Sequence, residues 1–147
     1  MKALKYVDAE VTFAEIPTEI NLCINISNCP VHCPDCHSKY LWMDIGEELT
    51  KEVIDRLLEE NDEVTCVCIM GGDQDPDRVE ELLRYVKTKG KKTAWYSGRE
   101  DIPSDLSAFD YIKIGPYKAE CGDLRNPNTN QRLYRYKDNT LTRIYVK

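Results

Sequence analysis

Residues 64–98 read VTCVCIMGGDQDPDRVEELLRYVKTKGKKTAWYSG, and three patterns follow one another in them. Val64 to Met70 is a short apolar run rich in β-branched residues, which predicts a buried strand. Gly71-Gly72 ends it. Asp75 then reads as a helix cap and Pro76 as the first helical position, and Val79, Leu82, Leu83 and Val86 place an apolar stripe on a helix stopped by Gly90. Lys92 to Tyr96 is a second strand, closed by Ser97-Gly98. A strand, a helix and a strand in this order predict a parallel α/β unit.

The same reading extends outward. Upstream, Thr50 caps a helix running to about Glu60 through Val53, Ile54, Leu57 and Leu58. Glu19 to Ser27 alternates Ile20, Leu22, Ile24 and Ile26 with Glu19, Asn21, Cys23, Asn25 and Ser27, the period of a strand. Leu4 to Phe13 reads as an edge strand or hairpin arm. Downstream, Asp105 to Ala108 predicts a helical turn, and Tyr111 to Ile114 a strand ended by Gly115-Pro116. From Arg132 the pattern is a hairpin, with its turn at Asp138-Asn139 and a return strand through Ile144 and Val146. Nothing repeats, so residues 1–147 are expected to form one α/β domain with mostly parallel strands and a C-terminal hairpin. In such sheets ligands gather beyond the carboxyl ends of the strands, where Asn28–Ser38, Gly71-Gly72 and Ser97-Gly98 fall.

Composition narrows the function. Among 147 residues, 20 Lys+Arg face 26 Asp+Glu, for a net charge of −6. That balance offers no footprint for a nucleic-acid backbone. The longest apolar run is five residues, Cys66 to Met70, against the roughly 18 a membrane-spanning helix needs. Seven cysteines are an odd number, and Met1 to Tyr6 holds no apolar core of a signal peptide. Reduced thiols in a cytoplasmic protein are the expectation. The charge is also uneven: residues 111–147 carry eight Lys/Arg against three Asp/Glu, and residues 1–110 twelve against twenty-three. This asymmetry suggests a C-terminal surface, including Arg125, Arg135 and Arg143, that docks an acidic partner or is simply a solvated face.

Cys29-Pro30-Val31-His32-Cys33-Pro34-Asp35-Cys36 is a CxxxCxxC in a proline-rich loop just past a strand. Three thiolates within eight residues can converge on one metal centre. Structural zinc asks for four ligands, usually in two separated halves, and Cys23, Cys66, Cys68 and Cys121 form no second half. A four-iron cluster accepts three closely spaced cysteines and leaves one iron open. Zinc with His37 as fourth ligand, and three merely structural cysteines, are the competing readings.

The triplet resembles that of the radical S-adenosylmethionine enzymes, which carry CxxxCxxC after the first strand of a partial (β/α) barrel. Further segments are similar to those of the activating proteins of anaerobic ribonucleoside-triphosphate reductase. They are Met70-Gly71-Gly72-Asp73, Trp95-Tyr96-Ser97-Gly98, Asp110 to Tyr117, and Thr129-Asn130-Gln131-Arg132-Leu133, in the family's order. The resemblance implies a small partial barrel in which Cys29, Cys33 and Cys36 hold a 4Fe-4S cluster. S-adenosylmethionine would chelate the open iron, and an electron from a flavodoxin- or ferredoxin-like donor would cleave it to a 5′-deoxyadenosyl radical. That radical would generate a glycyl radical on the reductase. No side chain is expected to be catalytic in its own right; the cofactor carries the chemistry.

The resemblance also assigns cofactor-binding roles to Gly71, Gly72, Asp73, Ser97 and Asp35. Asp73 stands where the family commonly has Glu, and Asp35 where it commonly has an aromatic residue near adenine. Each has a plainer reading: Gly71-Gly72 as a strand-to-helix turn, Ser97 as a turn hydroxyl, Lys113 as a solvent-facing strand residue, and Asn130, Gln131 and Arg132 as a polar corner. Cys23, Cys66 and Cys68 read as core lining, and Cys121 has no assigned role. Two other functions compete: an activase or modifier of another glycyl-radical enzyme or peptide, and a non-catalytic iron–sulfur or zinc module.

Overall fold

The computed structural model describes residues 4–13, 16, 19–27, 46–98, 102–103, 105–115 and 131–144. Their elements, in chain order, are β1 (Lys5–Thr12), β2 (Asn21–Ile26), β3 (Glu47–Glu48), α1 (Lys51–Glu60), β4 (Cys66–Met70), α2 (Pro76–Thr88), β5 (Lys92–Tyr96), β6 (Tyr111–Ile114), β7 (Arg132–Lys137) and β8 (Thr140–Ile144). The strands form one sheet in the order β3-β1-β2-β4-β5-β6-β7-β8. Its centre, β2 to β6 through β4 and β5, is parallel. Antiparallel strands flank that centre on both sides, β1 and β3 at one edge and β7 and β8 at the other. The sheet is therefore mixed: α1 lies in the crossover from β2 to β4 and α2 in that from β4 to β5, whereas β7 and β8 meet through a tight turn.

Local chemistry explains the helices. Thr50 Oγ1 accepts from Val53 N at 3.2 Å, and Asp75 Oδ1 accepts from Arg78 N at 3.3 Å, so each helix begins on a side-chain cap. Pro76 opens α2, where its missing N–H costs nothing. Both helices lay an apolar stripe against one face of the sheet: Ile54, Leu57 and Leu58 from α1, and Val79, Leu82, Leu83 and Val86 from α2. They meet Leu22, Ile24, Ile26, Val67 and Ile69 in the main core, which also holds Trp95 stacked on Phe109 at 5.6 Å. Each fully buried aliphatic side chain there contributes about 1.5–3 kcal/mol.

The opposite face carries a second buried cluster of Ile16, Cys23, Cys66, Cys68, Ala94, Tyr111 and Leu133. The alternation in Glu19–Ser27 marks the strand but not the burial of both its faces: Asn21 and Ser27 are as buried as Leu22 and Ile24, and Cys23 lines the core as expected. The strand lies inside the sheet, where Asn21 Nδ2 is placed 3.2–3.3 Å from the carbonyls of Thr12, Ile16 and Glu19, while among the described residues its Oδ1 has no partner. Residues 105–108 form a turn in place of the expected helical turn. There Asp105 Oδ1 accepts from Ser107 N at 3.0 Å and Ser107 Oγ at 2.7 Å, a side-chain bond that competes with helix.

Candidate functional site

The carboxyl ends of the parallel strands converge on one corner. Register pairs Asn25 with Met70, and Met70 with Tyr96, so β2, β4 and β5 end side by side. Ser27, the last described residue before the cysteine loop, is pinned from two directions. Its N–H donates to Lys5 O at 2.9 Å, and its carbonyl accepts from Gln74 Nε2 at 3.0 Å. The loop bearing Cys29, Cys33, Asp35 and Cys36 starts from this anchored point and itself lies outside the described residues, as do Cys121, Arg125 and Asn130.

Gly71 and Gly72 have φ of +100° and +88°, a region that side chains rarely enter. Packing requires glycine as well. A Cβ on Gly72 would stand 2.6 Å from Val79 Cγ2, and one on Gly71 would stand 3.3 Å from Ile26 O. Both positions point into the protein: turn geometry acts at each, with close approach of α2 at Gly72 and of β2 at Gly71. The turn is then tied to β5: Gly71 N donates to Tyr96 O at 3.0 Å, and Trp95 Nε1 donates to Gly71 O at 2.6 Å.

Asp73 and Ser97, predicted from different strands, come together. Ser97 Oγ donates to Asp73 Oδ1, and Gly98 N donates to Asp73 Oδ2 at 3.0 Å. Both residues are 2% exposed. The Asp73 carboxylate thus braces the β5 turn against the β4 turn, and the Ser97 hydroxyl bonds across the corner rather than to its own backbone. Lys113, a candidate for solvent exposure, is buried instead. Its Nζ donates to Gly115 O at 2.7 Å and Ser97 O at 3.4 Å and lies 5.9 Å from the Tyr96 ring centre. Gln131 adds a weak donor to Gly115 O at 3.5 Å. The role of Gln74 in holding Ser27 escaped sequence reading; its position between the turn and the helix cap is the one signal that pointed there.

The remaining thiols do not extend the site. Cys23, Cys66 and Cys68 form no disulfide among the described residues and are buried in the apolar cluster. Burial, with the charges of Glu19 and Asp110, pushes the Cys66 thiol well above its usual range, which disfavours the thiolate a metal needs. Among the described residues, no group of three His, Cys, Asp or Glu is placed to hold a metal ion. In the sequence the closely spaced thiols are Cys29, Cys33 and Cys36, and a thiolate triplet suits iron and sulfur. Among the described residues, no helix is long and apolar enough to cross a membrane.

Residues 20–103, more than half of the chain, match the family described as a 4Fe-4S single cluster domain. The match spans the cysteine loop, the Gly71-Gly72 turn and the Ser97-Gly98 turn. No significant match was found among curated proteins or solved structures.

Proposed function

Because the chain belongs to the family of 4Fe-4S single cluster domains, we propose that Cys29, Cys33 and Cys36 hold its cluster and that it works as a radical S-adenosylmethionine activase. The proposed fold is a small partial barrel built around the parallel centre of the sheet. The observation that carries this reading is the convergence at one sheet end. The anchored start of a CxxxCxxC loop stands beside the Gly71-Gly72 turn, which Asp73 locks to Ser97. Three cysteines leave one iron of a four-iron cluster without a protein ligand.

With both groups bound, the cluster and S-adenosylmethionine supply a reductively generated carbon radical able to take hydrogen from a glycine of a partner reductase. The chain's own part is positional. Asp73, through Ser97 and Gly98, keeps the two turns in register, and Lys113 holds the backbone carbonyls of Ser97 and Gly115 inward. Backbone groups of Gly71, Gly72 and Ser97 then form the wall against which a small ligand sits. Anaerobic ribonucleoside-triphosphate reductase is the proposed partner, with a flavodoxin- or ferredoxin-like donor and a cytoplasmic setting.

Anaerobic reconstitution tests this directly. Dithionite and S-adenosylmethionine should yield 5′-deoxyadenosine and methionine, and addition of the reductase should give a glycyl-radical resonance. A reconstituted cluster that cleaves no S-adenosylmethionine would instead assign a non-catalytic electron-transfer or sensing module. Cleavage without a radical on this reductase would point to another glycyl-radical enzyme or peptide.

A further inference from the structure

At the amino ends of the same strands, opposite the end that carries Ser27 and the Gly71-Gly72 turn, lies a recess of about 190 Å³. It is lined by Lys92, Asp110, Tyr111, Arg135, Tyr136 and Lys137. Lys92 opens β5 and Tyr111 opens β6, and Tyr111 faces Arg135 across the antiparallel β6–β7 pair. The backbone bond from Tyr136 N to Asp110 O, 2.8 Å, closes the floor.

The charges around the recess do not cancel. Glu19, buried behind it, is covered by Lys92 Nζ at 2.7 Å, Tyr111 Oη at 2.8 Å and Thr65 Oγ1 at 2.6 Å. Asp110 is covered by Lys87 Nζ at 3.1 Å and Thr93 N at 2.9 Å. Each acid therefore has its own lysine. Arg135 and Lys137 are exposed and, among the described residues, form no ion pair. Two positive charges are left over at one small concavity. A guanidinium supplies a planar fork of donors and an ammonium a point charge, the pair that recognises a tetrahedral oxyanion. Ligand pockets for drug-sized molecules run from about 300 to 1,000 Å³, so this recess admits something smaller.

We propose that the recess binds a phosphate dianion, either inorganic phosphate or the phosphate group of a small monoester, with Arg135 and Lys137 as its charged contacts. Arg135 and Lys137 stand two apart on β7 and so share one face of the strand, while the Tyr136 backbone, bonded to Asp110 O, lies between them. The site lies at the opposite strand ends from the Gly71-Gly72 and Ser97-Gly98 turns.

Titration of the full chain, without iron and at low salt, with inorganic phosphate and with glycerol phosphate tests the assignment by calorimetry. One saturable site is expected for either anion, and tighter binding of the ester would identify it as the source. The double variant Arg135→Glu, Lys137→Glu should weaken binding at least about tenfold, the effect of losing charge-assisted hydrogen bonds. A variant with the same charge change on α1, Lys51→Glu, Arg56→Glu, should bind as the parent does. Circular dichroism establishes that both remain folded. Absence of saturable binding, equal weakening in the two variants, or preference for an acidic peptide over both phosphates would overturn the proposal.

Discussion

At the scale of single residues, cysteines divide by neighbourhood rather than by number. Cys23, Cys66 and Cys68 are strand residues packed among Ala94, Tyr111 and Leu133, whereas Cys29, Cys33 and Cys36 belong to a proline-containing stretch of sequence at CxxxCxxC spacing. Cys33→Ala is expected to abolish cluster assembly, read as iron and sulfide per chain after reconstitution. Cys68→Ala should retain the full iron content; loss of iron there would reassign the ligands. Gly72 permits a separate test. An added Cβ would meet Val79 Cγ2 at 2.6 Å on a backbone at φ +88°, so Gly72→Ala should cost about 2 kcal/mol in denaturant unfolding. The need for glycine was legible from the Gly-Gly pair at the end of a strand. Its cause, the side of α2 pressing on the turn, was not, because the contact joins residues from two elements.

Among the elements, the C-terminal hairpin followed most directly from local chemistry. Asp138 and Asn139 sit at φ of +53° and +60°, the paired left-handed conformation that joins twisted antiparallel strands through a two-residue turn. Asn139→Gly should leave stability unchanged or raise it by about 0.5 kcal/mol, and Asn139→Val should lower it by about 1–2 kcal/mol. Equal stabilities would show that the turn does not govern the hairpin. Both helices were equally legible, since caps and stripes are written within a few residues. The two-residue β3 was not: Glu47-Glu48 has no strand pattern, and it forms because Lys5 and Tyr6 of β1 offer a free edge.

For the whole molecule, the amino end of the sheet couples distant segments through one carboxylate. Burial pushes Glu19 upward, but hydrogen bonds from Lys92, Thr65 and Tyr111, and the attraction of Lys92, hold it net below the usual 4.5. A carboxylate depressed on folding adds stability above its unfolded value and loses it as pH falls through the folded value. Stability should therefore drop below about pH 4.5, and Glu19→Gln should be less stable near neutrality with a shallower acid limb. An unchanged limb would show that Glu19 titrates as it does in the unfolded chain. Tyr111 is pushed the other way, upward, by burial and by the same carboxylate. Sequence alone determined the two helices, the strands β2 and β4 to β8 and the hairpin turn, and it holds the CxxxCxxC spacing, because propensity, capping and ligand spacing act over a few residues. Only the tertiary structure decided that Asp73 meets Ser97, that Lys113 is buried, and that Arg135 and Lys137 share a recess with Lys92. Those groups lie far apart along the chain, and strand order and register, not sequence distance, bring them within reach of one another.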